Sequence, residues 1–271
     1  MTRPLRSTLR LALGFAPTLV LLPVALAAYA LRALAPRRWL RFAVGVQTLW
    51  ARATLRVLGI ELDLPAEPPP AARFVVANHL SYLDVLVLAA VLPGRFVAKH
   101  EIAGWPLVGL LSRVGGTLFV DRGRGRDIPR VAAEIERTLA DGLAVLMFPE
   151  GGTSGGERVG RFHPALLEPA RGIGCLPVAL GYRTPGEPWA PSWTVCWWGG
   201  APLWPHLWRL LGLGRVVARV RWARAPVRAD DRKRLAEQAR EAVAELFEPV
   251  PQAPRPPGRG RPEPSEGTAG G

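Results

Sequence analysis

Residues 11–31 form an apolar run without a single charged residue. As a helix, this run would span roughly 32 Å, which matches the hydrocarbon core of a bilayer. Pro17 and Pro23 would kink the helix, and arginines on both flanks leave its orientation open. The run predicts a membrane-associated segment that either spans the bilayer or dips into it from the cytoplasmic face. A cleaved signal peptide is disfavoured, because the run is too long and no small-residue cleavage site follows.

The net charge of +13 indicates an anionic partner. Almost all of the positive charge is arginine, since Lys99 and Lys233 are the only lysines. Before Glu61, the first acidic residue, the arginines are interleaved with long apolar stretches, including a second predicted helix at about 38–58. Nucleic-acid-binding arms are basic and polar, whereas this segment is basic and apolar. We therefore predict an anionic membrane surface as the partner and no nucleic acid.

The rest of the chain alternates short β-rich runs with helical stretches. A content of 49% hydrophobic residues excludes a fully disordered protein. The predicted strands are 74–77, 95–98, 117–120, 144–148 and 175–180. A helix from Asp127 to Gly142 is marked by an N-cap, an early proline and a final glycine. This alternation predicts an α/β fold: a single, largely parallel sheet covered by helices and preceded by the N-terminal membrane-associated helical segment.

We divide the chain into three parts: the membrane-associated segment 1–60, a domain 61–248 and a disordered tail 249–271. The tail is rich in Pro, Gly and Arg and has no periodicity. Cys175 and Cys196 are too few for a disulfide framework or a closed zinc site, so we expect buried thiols in a reducing compartment.

The first strand of the domain runs into the sequence Asn78-His79-Leu80-Ser81-Tyr82-Leu83-Asp84. His79 would lie at the carboxyl end of the strand, where open α/β sheets bind ligands. If Asp84 lies in the first turn of the next helix, its carboxylate can reach back to the imidazole. Such a pair lets the histidine abstract a proton while the aspartate fixes its tautomer. A structural interpretation is also open, because Ser81 and Asp84 have the spacing of a capping box.

Four blocks of sequence resemble those of the lysophospholipid (glycerolipid) acyltransferase family. They are Asn78-His79 through Asp84, Gly116 through Arg122, Phe148-Pro149-Glu150-Gly151, and the proline-bearing strand 176–180. The resemblance covers roughly residues 70–185. It implies an enzyme that moves a fatty acyl group from acyl-CoA or acyl carrier protein to the free hydroxyl of a lyso-lipid, without a cofactor or metal. It also implies a place on the cytoplasmic face of the cell membrane.

The resemblance assigns a role to individual residues. His79 becomes the general base and Asp84 its orienting partner. Arg122 would contact an anionic head group, while Glu150 and Gly151 would shape the acceptor site. Lys99, after the second strand, resembles a further basic contact, although a solvated lysine at a strand end is equally consistent with the sequence.

The third block departs from the family pattern. It continues as Gly152-Thr153-Ser154, where Thr-Arg-Ser is usual, so the arginine is missing. The arginine-free version resembles family members that make ornithine lipids. Lysophosphatidate (1-acyl-sn-glycerol-3-phosphate) is therefore the expected acceptor, and lyso-ornithine lipid is the alternative. Arg158 and Arg161 lie close by in sequence and are possible substitutes for the missing arginine.

Two other classes of function compete with this hypothesis. The sequence Gly152 to Gly156 formally fits G-x-S-x-G, the nucleophile elbow of a serine hydrolase acting through Ser154. Residues Pro149 to Gly151 separate it from its strand, which disfavours an elbow. The second competitor is a non-enzymatic membrane-association protein on the same scaffold, against which the intact His79 and Asp84 argue. The tryptophans between 189 and 208 are typical either of a bilayer interface or of an aromatic core.

Overall fold

The computed structural model describes residues 2–71, 73–121, 127–254 and 256. Its seven-stranded sheet has the order β1-β7-β6-β2-β5-β3-β4, and every neighbouring pair is parallel except β6 with β7. The strands are β1 Ile60–Asp63, β2 Phe74–Ala77, β3 Gly94–Lys99, β4 Leu118–Val120, β5 Ala144–Met147, β6 Leu176–Arg183 and β7 Val216–Trp222. The α-helices are α1 Arg3–Gly14, α2 Ala16–Ala30, α3 Pro36–Leu58, α4 Leu83–Val91, α5 Val108–Val114, α6 Asp127–Ala140, α7 Pro191–Thr194, α8 Leu203–Gly212 and α9 Arg232–Leu246. Two 3₁₀ helices lie at His100–Gly104 and Pro164–Ala170.

The predicted α/β fold with one largely parallel sheet is confirmed, and all five predicted strands are present. β1 and β7 were not predicted. β7 alternates buried apolar residues with partly exposed ones, among them Arg219 and Arg221. This is the pattern of an antiparallel strand with one covered face, and the arginines concealed it.

Helices cover both faces of the sheet and create two apolar clusters. On one face, α3 and α4 contribute Ala51, Leu55 and Val87. On the other face, α6 contributes Ile135 and α9 contributes Leu235. Because residues on a strand alternate between faces, β2 supplies Val75 to the first cluster and Phe74 and Val76 to the second. β2 is thus buried throughout, and the loop that follows it is fixed by the core.

The N-terminal segment consists of two consecutive helices instead of one kinked helix. α1 ends at Gly14 and α2 begins at Ala16, with Pro17 in its first turn, where a missing N–H costs least. The stretch Arg3–Ala30 is long and apolar enough to cross a membrane, since its most apolar 18-residue window has a mean hydropathy of 2.1 and is only 11% buried. α3 is largely packed onto α4 and the core through Ala51 and Leu55, so the predicted boundary at residue 60 crosses a packed interface.

The predicted tail begins too early. Val250 is buried, and its N–H donates to the Gly156 carbonyl at 2.8 Å. The Gln252 amide donates to the Gly155 carbonyl at 3.0 Å, and Trp193 donates to the Gln252 carbonyl at 2.9 Å. Residues 249–254 are therefore bound to the domain. Residues 255 and 257–271 lie outside the described part of the chain. The two cysteines are free and buried, as predicted.

The tryptophan-rich stretch divides between the two predicted environments. Trp204 and Trp208 of α8 are 69% and 44% exposed, whereas Trp193 is buried. α8 packs against α1, and both helices expose large apolar side chains, including Leu5 and Leu9. An apolar surface thus extends from the N-terminal helices onto the domain.

Candidate active site

The loop after β2 is tied to the neighbouring strand by Asn78. Its amide nitrogen donates to the Leu180 carbonyl at 2.9 Å, and its amide oxygen accepts from the Leu180 N–H at 2.7 Å. These two bonds extend the β2–β6 ladder by one side chain, since Asn78 takes the place of a backbone partner. His79 therefore leaves the sheet at a fixed point on the edge formed by the carboxyl ends of the parallel strands.

His79 and Asp84 are in direct contact. Nδ1 of His79 lies 2.7 Å from Oδ2 of Asp84, which is fully buried in the first turn of α4. The same Oδ2 accepts the N–H groups of Leu80 at 2.6 Å and Ser81 at 2.9 Å. Asp84 thus caps the helix and orients the imidazole at once, so the capping interpretation and the catalytic one describe the same carboxylate.

The second oxygen of Asp84 is bound by a residue that the sequence analysis missed. Tyr182, buried on β6, donates its hydroxyl to Oδ1 of Asp84 at 2.5 Å. Burial, reinforced by the negative charge of Asp84, raises the pKa of Tyr182 well above its usual value, so the phenol stays protonated and donates. The sequence signal that could have identified Tyr182 is its position near the end of β6, the strand of the fourth block. Because β6 runs parallel to β2, both strands end at the same edge of the sheet.

The imidazole of His79 is held on an aromatic surface. It stacks on Phe148 with ring centroids 4.0 Å apart and planes inclined by 12°, and Phe148 in turn stacks with Phe96 at a centroid distance of 6.3 Å. The His79 side chain keeps 19% of its surface exposed. Since Nδ1 faces the Asp84 carboxylate, Nε2 is the nitrogen available to a substrate proton.

Glu150 lies directly beside this histidine. Its Oε1 accepts the His79 backbone N–H at 3.0 Å, and its Oε2 accepts the Gly160 N–H at 3.2 Å. Burial raises the pKa of Glu150 to about 7, although the two hydrogen bonds to backbone N–H groups lower it. The nearby negative charge of Asp84 raises the pKa by a smaller amount. Gly151 follows with φ +74°, a backbone conformation that side chains disfavour, and makes the turn that returns the chain past His79.

Of the predicted basic contacts, the structure places Lys99 farther along the same edge. Lys99 is exposed at the end of β3, two strands from β2. Arg122 lies outside the described residues, shortly after β4 ends at Val120. Arg158 and Arg161 are exposed. Among the described residues, no group of three His, Cys, Asp or Glu side chains is placed to hold a metal ion.

Ser154 does not have the surroundings of a nucleophile. Its N–H donates to the His79 carbonyl at 3.0 Å, so the residue belongs to a loop that wraps around His79. Its hydroxyl is buried and has no hydrogen-bond partner in the described structure, so no base activates it there. The following residues to His163 form turns and extended chain, whereas a nucleophile elbow continues into a helix.

Another histidine is structural. His206 of α8 is buried, with Nδ1 3.1 Å from the Tyr82 hydroxyl and Nε2 2.9 Å from the Cys196 carbonyl. The carbonyl requires the proton on Nε2, so the Tyr82 hydroxyl donates to Nδ1. Tyr82 lies within the first block, and α8 is thereby attached to the His79 loop.

Comparisons with known proteins agree with this geometry. Residues 67–182 match the family model described as Acyltransferase. A lyso-ornithine lipid O-acyltransferase of Pseudomonas aeruginosa is 36% identical over 197 residues, covering 72% of this chain and 75% of that protein. A 1-acyl-sn-glycerol-3-phosphate acyltransferase of Neisseria meningitidis is 36% identical over 167 residues, covering 60% and 64%. The crystal structure of a 1-acyl-sn-glycerophosphate acyltransferase from Thermotoga maritima covers 90% of this chain and 98% of its own, with a TM-score of 0.58 and 20% identity.

Proposed function

Since this chain belongs to the acyltransferase family, we propose that it transfers a fatty acyl group from a thioester donor to the free hydroxyl of a lyso-lipid. The observation that carries the proposal is the contact between His79 and the buried carboxylate of Asp84. A histidine oriented in this way, and exposed at Nε2, is suited to take a proton from a hydroxyl group.

The reaction needs one base and no covalent enzyme intermediate. Nε2 of His79 accepts the proton of the acceptor hydroxyl while the oxygen attacks the thioester carbonyl carbon. The tetrahedral intermediate then expels the thiolate, and the imidazolium returns its proton to the sulfur, so an oxygen ester and a free thiol result. Asp84 stabilises the imidazolium between the two steps, and acyl-CoA and acyl carrier protein both supply such a thioester.

Lysophosphatidate is the acceptor that we propose first, and the product would be phosphatidic acid. Lys99, at the end of β3, and Arg122, which follows β4 in sequence, would contact its phosphate, and Gly151 would shape the acceptor site beside His79. Lyso-ornithine lipid is the second candidate for two reasons. The relatives named for each of the two activities are about equally similar to this chain, and the third-block arginine is missing. Acyl transfer by purified protein offered both acceptors, each with acyl-CoA and with acyl carrier protein, distinguishes the two.

The relatives make membrane lipids, and we propose that this enzyme acts on the cytoplasmic face of the cell membrane. The apolar stretch Arg3–Ala30 and the exposed tryptophans Trp204 and Trp208 support an attachment to the bilayer. Arginines around the stretch favour an anionic surface.

His79→Ala tests the mechanism. Turnover should fall by roughly 10²- to 10⁴-fold, the range that a general base contributes. The exposed His100 is the matched control, and His100→Ala should keep normal turnover. Near-normal turnover of His79→Ala would refute the proposed base. Release of free fatty acid that depends on Ser154 and not on His79 would support a hydrolase instead, and lack of transfer by the unaltered protein would favour a non-enzymatic role.

A further inference from the structure

Both carboxylate oxygens of Glu150 are engaged by the backbone. Oε1 accepts from the N–H of His79, and Oε2 accepts from the N–H of Gly160. The two donors lie on different segments, so Glu150 joins the His79 loop to the far end of residues 148–160, which we call the third-block loop. A carboxylate used in this way stabilises a backbone arrangement.

The fit at Gly160 is specific to glycine. A Cβ atom there would lie 2.6 Å from Oε2 of Glu150, too close for any side chain. Gly160 has an ordinary negative φ, so the conflict would be with the carboxylate alone. In the same loop, a Cβ at Gly152 would meet nothing within 4 Å, and the φ of Gly152 is also unremarkable.

The third-block loop contacts His79 at three places: Glu150 accepts its N–H, Ser154 donates to its carbonyl, and Phe148 stacks on its ring. A fourth contact, to Nδ1, comes from Asp84 of α4. Asp84 fixes the orientation of the ring, whereas the contacts to the main chain fix the position of the His79 backbone, from which the ring extends. Glu150 is the side chain that makes such a contact.

We infer that Glu150 is a positioning residue that fixes the backbone of His79, and that it does not contact the acceptor. The inference rests on the proposed acyl transfer. It replaces the acceptor-binding role that the resemblance implied for this residue. A carboxylate in direct contact with a phosphate would also be repelled by it, whereas a carboxylate that accepts two N–H groups is satisfied where it is.

Glu150→Gln and Gly160→Ala break the same contact by different means. The glutamine amide has one acceptor oxygen, so one of the two N–H groups loses its partner. The alanine leaves Glu150 chemically intact and displaces its carboxylate. Both variants should lower kcat by about 10- to 100-fold, because a small displacement of a catalytic group has effects of this size. The KM for lysophosphatidate should change less than about threefold.

The double variant provides the sharpest test. If both substitutions act through one contact, the kcat of the double variant should be no lower than that of the less active single variant. Gly152→Ala and Glu157→Gln, an open glycine and an exposed carboxylate in the same loop, are the matched controls and should keep normal kcat. Thermal unfolding of each variant shows that the fold is retained, and if Glu150→Gln fails to fold, Gly160→Ala decides the question.

Three results would overturn the inference. They are a raised KM with unchanged kcat in Glu150→Gln, multiplied losses in the double variant, and normal turnover of Gly160→Ala. If the unaltered protein transfers no acyl group at all, the proposed function fails, which is a different result from any of these.

Discussion

The hydroxyl of Tyr182 offers a test of how Asp84 is held. In Tyr182→Phe the ring stays in its buried position on β6, and only the 2.5 Å bond to Oδ1 of Asp84 is lost. A hydrogen bond to a charged group contributes about 1.5–3 kcal/mol, and the oxygen left behind is fully buried. At about 2–4 °C per kcal/mol for a domain of this size, Tm should fall by roughly 3–12 °C.

The effect on turnover should be smaller than that of removing the carboxylate. In the Tyr182→Phe protein, Oδ2 of Asp84 still accepts from Leu80, Ser81 and His79, so the imidazole stays oriented. We expect kcat to fall by about tenfold, since one of four bonds to the carboxylate is lost. Steady-state kinetics and thermal unfolding are measured together, with Tyr29→Phe on α2 as the control. Unchanged Tm and kcat would show that Tyr182 does not support Asp84.

Three further predictions follow from the described residues. Asp84→Asn keeps the shape but removes the charge that stabilises the imidazolium, so kcat should fall by about 10²- to 10⁴-fold with little change in KM; a loss below tenfold would contradict the mechanism. Because burial raises the pKa of Glu150 from 4.5 to about 7, the folded protein holds this proton more tightly than the unfolded chain. Relative to Glu150→Gln, the stability measured by urea unfolding should therefore decrease as pH rises from 4.5 to 7, by up to about 3 kcal/mol, and a parallel pH dependence of both proteins would contradict this. Replacing Trp204 and Trp208 by glutamine should weaken co-sedimentation with anionic vesicles by at least about tenfold, while equal binding would exclude α8 from the membrane contact.

The sequence predicted the sheet because parallel strands are continuous apolar runs between turn residues. β2 and β5 are such runs, and their predicted limits are nearly those observed. β7 failed this rule because every second residue is only partly buried, and β1 failed it because acidic residues occupy every second position of Ile60–Asp63. A continuous apolar run thus identifies strands that are buried on both faces better than strands that carry charged residues.

The contact between His79 and Asp84 was predictable because both residues lie in one short loop and helix turn. Tyr182 was not, since it meets Asp84 only after strands distant in sequence are brought together, and Gly160 was not, since its contact with Glu150 depends on the course of the loop between them. The positioning role inferred for Glu150 could not be predicted from the sequence either. A motif shows which residue types are present, but not that the two oxygens of this carboxylate face the backbone of other segments.

The order of the sheet explains why blocks far apart in sequence form one site. β2, which precedes His79, lies between β6, which carries the fourth block, and β5, which precedes the third. With neighbouring strands about 4.8 Å apart, the loop after β5 reaches His79 and β6 reaches Asp84 through Tyr182, whereas the ends of β3 and β4 lie about 10 and 14 Å from β2. Apart from Asp84, which follows β2, the groups that hold His79 and its carboxylate partner therefore come from β6 and from the loop after β5. The backbone N–H, the backbone carbonyl, the ring face and Nδ1 of His79 are each held by a protein group, so the proposed base is already in place before a substrate binds.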